Sequence, residues 1–261
     1  MYVNSGRGGI ATDRLRVAVA GIHGKMGQEV ARAVSGADDL LLVGGVMRGR
    51  TDHAQGHSQV NDGVAAVPVY DDLRTCLLLQ KPDVLVDFTC AEAAEQHIAD
   101  AVLLGVRPVI GTTGFSAEFL EHLDGLLAAQ ELGGLYAPNF AVGAILMMRA
   151  AAMIAPLLPQ AEIIEYHHEQ KRDKPSGTAK KTAQIIASRL PEGVSGAIPI
   201  HSVRLPGFVA HQEIIFGGQG ERLTIRHDSV SRTSFMPGVL LGIRRVMTVT
   251  GLIDGLEHFL F

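Results

Sequence analysis

Over residues 15–137, strand-like apolar runs alternate with helix-like stretches, and this alternation leaves few architectures open. LRVAVA at 15–20 is the first run, and a glycine turn, GIHGKMG at 21–27, leads from it into a helical stretch at 28–34. Further strand runs fall at 40–47, 83–88, 107–110 and 135–137. Helical spacing occupies 91–104, and Ser116 caps a second such stretch reaching about residue 130. Strands alternating with helices predict a doubly wound parallel sheet with helices on both faces. Ligands of such sheets bind beyond the C-terminal ends of the strands, so the turns there are the places to look for function.

A glycine turn between strand and helix lets a pyrophosphate rest on the helix N-terminus. Here the spacing is GxxGxxG rather than GxGxxG, with His23 where the second glycine would fall. Glycine turns are common, so this one counts mainly through its place after the first strand and before a helix. An acidic residue at the end of the second strand would hold the ribose hydroxyls of NAD. The chain has VMRGR at 46–50 and no carboxylate there. Arg48 and Arg50 suit a 2′-phosphate, because guanidinium matches phosphate geometry; the competing reading is two solvent-exposed arginines. The first reading predicts that NADPH is used at least as well as NADH. GTTG at 111–114 also ends a strand, and its small residues either fit against a flat ring or form a simple turn.

Past APNF at 137–140 the pattern changes. The apolar run at 141–159 is interrupted by Arg149 and Pro156, which fits a buried core helix better than a membrane span. A β-branched and aromatic run, AEIIEYHH at 161–168, ends in two histidines. After a loop holding Lys171 and Lys174, Ser176 is an N-cap candidate for a helix with apolar residues at helical spacing. The first turn of a helix leaves N–H groups unpaired and carries partial positive charge, and Gly177 allows close approach. The sum is a pocket for a small anion beside a titratable histidine and a lysine; the plainer reading is a solvated basic loop and an ordinary cap. Runs at 198–205, 208–216 and 221–226, with turns at 206–207 and 217–220, read as strands joined by hairpins. This half is a second, α+β domain. One helix layer covers one face of its sheet, so self-association across the other is expected. FMPG at 235–238 and the following VLLGIRRVMTVTGL read as a capped helix returning to the first domain. Crossings near Asn139 and Phe235 form a hinge, and closure would exclude water from a hydride transfer.

The 261 residues allow one large or two modest domains. A net charge of -4 and the lack of an aromatic-basic stripe argue against nucleic acid as partner. Cys76 and Cys90 form no CxxC pair, and the eleven histidines include no HExxH, so no metal site is expected and both thiols read as buried and free in a reducing compartment. The opening MYVNSGRGGIATDRLR lacks the apolar core of a signal peptide and reads as a short disordered arm.

Six segments, taken in order, resemble the 4-hydroxy-tetrahydrodipicolinate reductase (dihydrodipicolinate reductase) family of diaminopimelate and lysine biosynthesis. They are VAGIHGKMG at 19–27, DFT at 87–89, GTTGF at 111–115, APNF at 137–140, HHEQKRDKPSGTA at 167–179 and RTSFMPGV at 232–239. The resemblance spans nearly the whole chain, and the 167–179 segment is its most specific part. It implies an α/β fold: a Rossmann-like doubly wound parallel sheet, 1–139 with 235–261, plus a second α+β domain with an open mixed sheet, 140–234. It implies NADPH and/or NADH as cofactor. Gly21, Ile22, His23, Gly24, Lys25 and Met26 would hold the pyrophosphate, and Met47 and Arg48 would lie at the adenosine ribose. Gly111, Thr112 and Thr113, with Ala137, Pro138, Asn139 and Phe140, would line the nicotinamide. His167 would be the general acid/base and Lys171 the proton donor. His168, Gly177 and Thr178, with Ser176 and Thr113, would hold the carboxylates of a small cyclic imine dicarboxylate. A cytoplasmic homotetramer is implied as well, with no nucleic acid or membrane as partner. His23 and Met47 depart from the family's usual glycine and acidic residue, which bears on cofactor preference. Two rivals compete. Another two-domain NAD(P)-dependent dehydrogenase of a small anionic substrate has no use for the paired histidines and SGT. A non-catalytic cofactor sensor acting as a repressor would need a basic DNA-binding face.

Overall fold

Val17 and Val19 face one side of the first strand, Ala18 and Ala20 the other, and all four are fully buried. A strand covered on both faces is the mark of a parallel sheet between two helix layers. The computed structural model describes residues 14–47, 56–58, 66–194 and 196–261. The expected N-terminal arm up to residue 13, and Arg48 and Arg50, lie outside the described residues.

The first lobe runs β1 (Leu15–Ala20), α1 (Lys25–Ser35), β2 (Leu40–Val46), β3 (Gly56–Ser58), β4 (Val67–Tyr70), α2 (Leu73–Gln80) and β5 (Val84–Asp87). It continues with α3 (Ala91–Leu103), β6 (Arg107–Ile110), α4 (Ala117–Ala129) and β7 (Gly133–Tyr136). The second lobe holds α5 (Val142–Ile154), β8 (Gln160–His167), α6 (Gly177–Ala187), β9 (Ile200–Arg204), β10 (Ala210–Gly218) and β11 (Glu221–Ser229). A 3-10 turn at Arg232–Phe235, α7 (Met236–Arg245), β12 (Gly251–Asp254) and a 3-10 turn at Leu256–Phe259 complete the chain.

The large sheet has the order β12-β7-β6-β5-β1-β2-β4-β3. Its pairings are parallel except β3 with β4. Val30 and Val34 of α1 and Val239 and Ile243 of α7 pack on the face of Val17 and Val19. Leu73 and Leu77 of α2 cover Ala18 and Leu85, and Ile98 of α3 and Leu123 of α4 cover Ile110 on the same side. The expected doubly wound sheet is therefore present.

The second sheet has the order β11-β10-β8-β9, with β8 and β9 parallel and the other pairs antiparallel. Here one expectation fails. β10 and β11 form a hairpin, but β9 does not pair with β10. It lies on the far side of β8. Ile163, Ile214 and Phe216 face α5 and α6, so β8 and β10 must be neighbours for that apolar patch to be continuous, and β9 takes the remaining edge. The opposite face carries Glu162, Ile164, Tyr166, Glu213 and Arg226, and no helix among the described residues lies on it. The tail also departs from the single helix expected. α7 stops at Arg245, and residues 251–254 add strand β12 to β7. The turn Val246–Thr248 separates them, and Gly251 has φ +84°, which no helix accommodates.

Candidate active site

The glycine turn between β1 and α1 has the geometry of an anion cradle. Gly21 has φ +74°, and a Cβ on Gly27 would lie 2.1 Å from the Gly21 carbonyl oxygen. Only glycine fits at either position, and the helix therefore starts close against the strand end. Gly24 is the N-cap and offers no side-chain acceptor, so the first amides of α1 are left open. Gly21, His23 and Gly24 line a cavity of about 620 Å³ with Met47, Asp71, Asp72, Phe88, Thr89 and His97. Ile22 is fully buried in the core and offers such a cavity only its backbone. Lys25 lines a neighbouring cavity with His168 and Arg232. These residues fit a dinucleotide: an open helix end for phosphate and apolar walls at Met47 and Phe88 for rings.

The turn after β6 brings in the expected 111–113 residues. A Cβ on Gly111 would meet the Phe88 ring at 2.0 Å, so glycine there is what lets Phe88 lie across the turn. Phe88 in turn packs on the buried Phe140, with centroids 5.6 Å apart. Thr112 is buried and its hydroxyl donates to Asp87 at 2.9 Å, whereas Thr113 is exposed and faces the cleft. Ala137 is buried. Pro138 and Asn139 reach the cleft, and Asn139 donates to the Thr178 hydroxyl of the other lobe at 3.4 Å.

Across that cleft stand His167, Lys171, Ser176, Gly177 and Thr178. His168 lies in an adjoining cavity that His167, Lys171, Ser176 and Thr178 also line, together with Gln212 and His227. Ser176 is the N-cap of α6: its hydroxyl accepts from the Ala179 amide at 3.2 Å. The Ser176 amide donates to Glu165 at 3.3 Å. Gly177 and Thr178 open the helix, where no preceding turn supplies carbonyls for their amides. The space where a Cβ of Gly177 would sit is empty. The helix start expected at 176–178 is therefore present, with its first amides open to the cleft.

The electrostatics are set by groups the sequence reading did not single out. Glu165 is fully buried, and Arg204 donates to it twice, at 2.7 and 2.8 Å. His167 Nδ1 donates to the same carboxylate. Burial pushes the Glu165 carboxyl up, but the hydrogen bonds led by Arg204 outweigh it and hold it below the ordinary value. Burial pushes the His167 imidazole down, against the pull of Glu165. Lys171 pairs with Asp173 at 2.8 Å, at the mouth of the cleft. Asp87 is a second buried carboxylate, 2.8 Å from His97, which lines the cavity beside the glycine turn. A glutamate two residues before a histidine on a strand shares its face, so EYH at 165–167 carried a signal for the first contact. Nothing local signals Arg204. Cys76 is buried as expected, but Cys90 is exposed, because it stands at the N-cap of α3, facing the cavity beside the glycine turn. Among the described residues no group of His, Cys, Asp and Glu could hold a metal ion, and no helix is long and apolar enough to cross a membrane.

The family model "Dihydrodipicolinate reductase, N-terminus" matches residues 15–140, and "Dihydrodipicolinate reductase, C-terminus" matches residues 143–260. A 4-hydroxy-tetrahydrodipicolinate reductase of Geobacillus kaustophilus is 49% identical over 265 residues, covering 94% of this chain and 99% of its own. One from Moorella thermoacetica is 47% identical over 262 residues, covering 94% and 98%. Among solved structures, the dipicolinate-bound dihydrodipicolinate reductase from Paenisporosarcina sp. TG-14 superposes with a TM-score of 0.80 at 43% identity, covering 94% of this chain and 99% of its own.

Proposed function

The chain belongs to the dihydrodipicolinate reductase family, and on that premise we propose how its own residues carry the reaction. It is an NAD(P)H-dependent oxidoreductase that reduces 4-hydroxy-tetrahydrodipicolinate to tetrahydrodipicolinate, in the diaminopimelate route to lysine. The observation that carries the assignment of roles is the cleft itself. Thr113, Pro138 and Asn139 of one lobe stand opposite His167, Lys171 and the open start of α6.

The 21–26 turn would hold the cofactor's pyrophosphate, and Met47 and Arg48 would meet its adenosine ribose. Residues 111–113 and 137–140 line its nicotinamide. When bound, the cofactor would supply a hydride to ring C4 of the conjugated imine that remains once the 4-hydroxyl and a proton of the neighbouring ring carbon have left as water. The Gly177 and Thr178 amides, with Ser176, His168 and Thr113, hold the two ring carboxylates, because an open helix end attracts anions. Lys171 donates the proton that the resulting enamine takes up at the ring carbon next to C4, which restores the imine. His167 acts as acid/base beside it. With the chain divided into 1–139 with 235–261 and 140–234, hydride donor and acceptor would sit on opposite lobes, and closure would exclude water. The bare face of the second sheet is where subunits meet in a homotetramer, and the enzyme works in the cytoplasm. The open amides of α6 suit a dicarboxylate, and dipicolinate is bound by the Paenisporosarcina enzyme.

The test is an assay with freshly made 4-hydroxy-tetrahydrodipicolinate and each cofactor. The wild type turns over. His167→Ala and Lys171→Ala each lower kcat by about 10²–10⁴-fold, the usual contribution of general acid–base catalysis, with the fold intact. Either variant with an unchanged kcat removes that residue from its role. Arg48→Ala lowers the preference for NADPH over NADH; an unaltered ratio takes Arg48 away from the ribose.

A further inference from the structure

Glu165 and His167 stand two apart on β8 and so share its covered face, and the parallel register sets Arg204 of β9 directly beside His167. The Arg204 side chain is only 5% exposed and reaches further than Glu165. It donates to the Asp173 carbonyl at 2.7 Å and to the Lys171 carbonyl at 3.3 Å. One ion pair thus touches the histidine, the backbone that carries the lysine and, through the Ser176 amide, the start of α6. A buried ion pair pays desolvation that an apolar pair of the same volume would avoid, so stability alone does not account for it.

We propose that the Glu165–Arg204 pair positions the proton-transfer groups: Glu165 fixes His167 as the Nδ1-protonated imidazole with Nε2 free for the cleft, and Arg204 holds the loop that aims Lys171. Glu165 is a positioning residue and not a base. Both its oxygens are already filled, by His167 and Arg204 on one and by Arg204 and the Ser176 amide on the other. The charged and titratable groups around His167 are Glu165 on its own strand, Arg204 on β9, and Lys171 with Asp173 in the loop. His168, His211 and His227 line the adjoining cavity, and Lys181 with Glu257 lies at the far side of the cleft. Of these, Glu165 alone touches the imidazole and favours its cationic form.

This inference rests on the roles assigned to His167 and Lys171 above, and its test reads the histidine directly. Nitrogen NMR of the cofactor-bound wild type, with histidine labelled at nitrogen, should show His167 protonated at Nδ1 when neutral. In Glu165→Gln its titration should move to lower pH, because the carboxylate that favours the imidazolium is gone. The acid limb of the kcat profile should move with it. kcat itself should fall roughly 10- to 100-fold, the scale of a small misplacement at a reacting centre, with KM for the cofactor unchanged. Arg204→Lys, which keeps the charge but loses the planar fork, should speed amide exchange at 171–173. An Nε2-protonated His167 in the wild type overturns the proposal even if Glu165→Gln does not fold. So does a folded Glu165→Gln with the wild-type titration and kcat. A wild type that binds cofactor but turns nothing over would sink the assigned reaction, while the tautomer would still decide this point.

Discussion

His97 Nδ1 lies 2.8 Å from Asp87 Oδ2, a contact that ties helix α3 to the end of β5 beside the large cavity that His97 lines. The other Asp87 oxygen accepts from the Thr89 amide at 2.9 Å, the Thr89 hydroxyl at 2.6 Å and the Thr112 hydroxyl at 2.9 Å. The turn after β5, which lines the large cavity, and the turn after β6 therefore hang on one carboxylate.

Asp87→Asn keeps the shape, removes the charge and turns an amide N–H toward one of these donors. Hydrogen bonds to a charged group contribute about 1.5–3 kcal/mol, and a loss of that size is expected in urea unfolding. KM for NAD(P)H should rise while KM for the imine stays near wild type. Unchanged stability together with an unchanged cofactor KM would contradict the role given to Asp87.

Acid should unfold the protein in two stages. Burial pushes His167 and His227 down, so the folded state resists protonation that the unfolded chain accepts. Their contribution is present above about pH 6.5 and drains as pH falls toward their folded values. Burial pushes Asp87 and Glu165 up, but hydrogen bonds from His97 and Thr89, and from Arg204, leave both below the ordinary range. Their contribution is complete above about pH 4.5 and is lost below it as protons are taken up on unfolding. Unfolding free energy measured against pH should show both declines. Asp87→Asn should flatten the second, and a slope identical to wild type would refute this.

Gly27→Ala tests the cradle. The added methyl would lie 2.1 Å from the Gly21 oxygen and 2.8 Å from the Ile22 Cα, both backbone atoms that cannot swing aside. The cost should reach at least the usual range for overpacking, about 1–3 kcal/mol, with weaker NADPH binding by fluorescence titration. Gly125→Ala in α4 is the control. Nothing lies within 4 Å of that position, and alanine should stabilise by up to about 1 kcal/mol.

Lys181 of α6 and Glu257 of the last 3-10 turn meet at 2.7 Å across the cleft, 41% and 32% exposed. Exposed pairs contribute little, so Lys181→Met should cost no more than about 1 kcal/mol and less in high salt. A loss of several kcal/mol, insensitive to salt, would make this contact a structural lock between the lobes.

The alternation over 15–137 was legible because apolar strands covered on both faces and glycine turns leave strong local patterns. The short strand VPVY at 67–70 and helix α2 behind it were not read. Pro68 weakens the strand pattern, and four residues give little periodicity to find. The hairpin error has a similar source. Residues 198–205 and 208–216 are consecutive in the chain, yet β8 lies between them, and local sequence does not report which strand completes an apolar face. His167, His168 and the SGT step were visible because histidines, lysines and a cap crowd one segment. Arg204 was not, since 39 positions separate it from Glu165 and only the β8–β9 pairing brings them together.

Strand β12 closes the large sheet beside β7, yet the entire four-stranded lobe is translated between them. During synthesis the nucleotide half must wait with an unfinished border and an uncovered seat for α7, while the inserted lobe has all its strands in hand. Assembly of the catalytic gap is consequently a late event, and any lesion in residues 236–254 should strand a half-built nucleotide domain beside an intact insert.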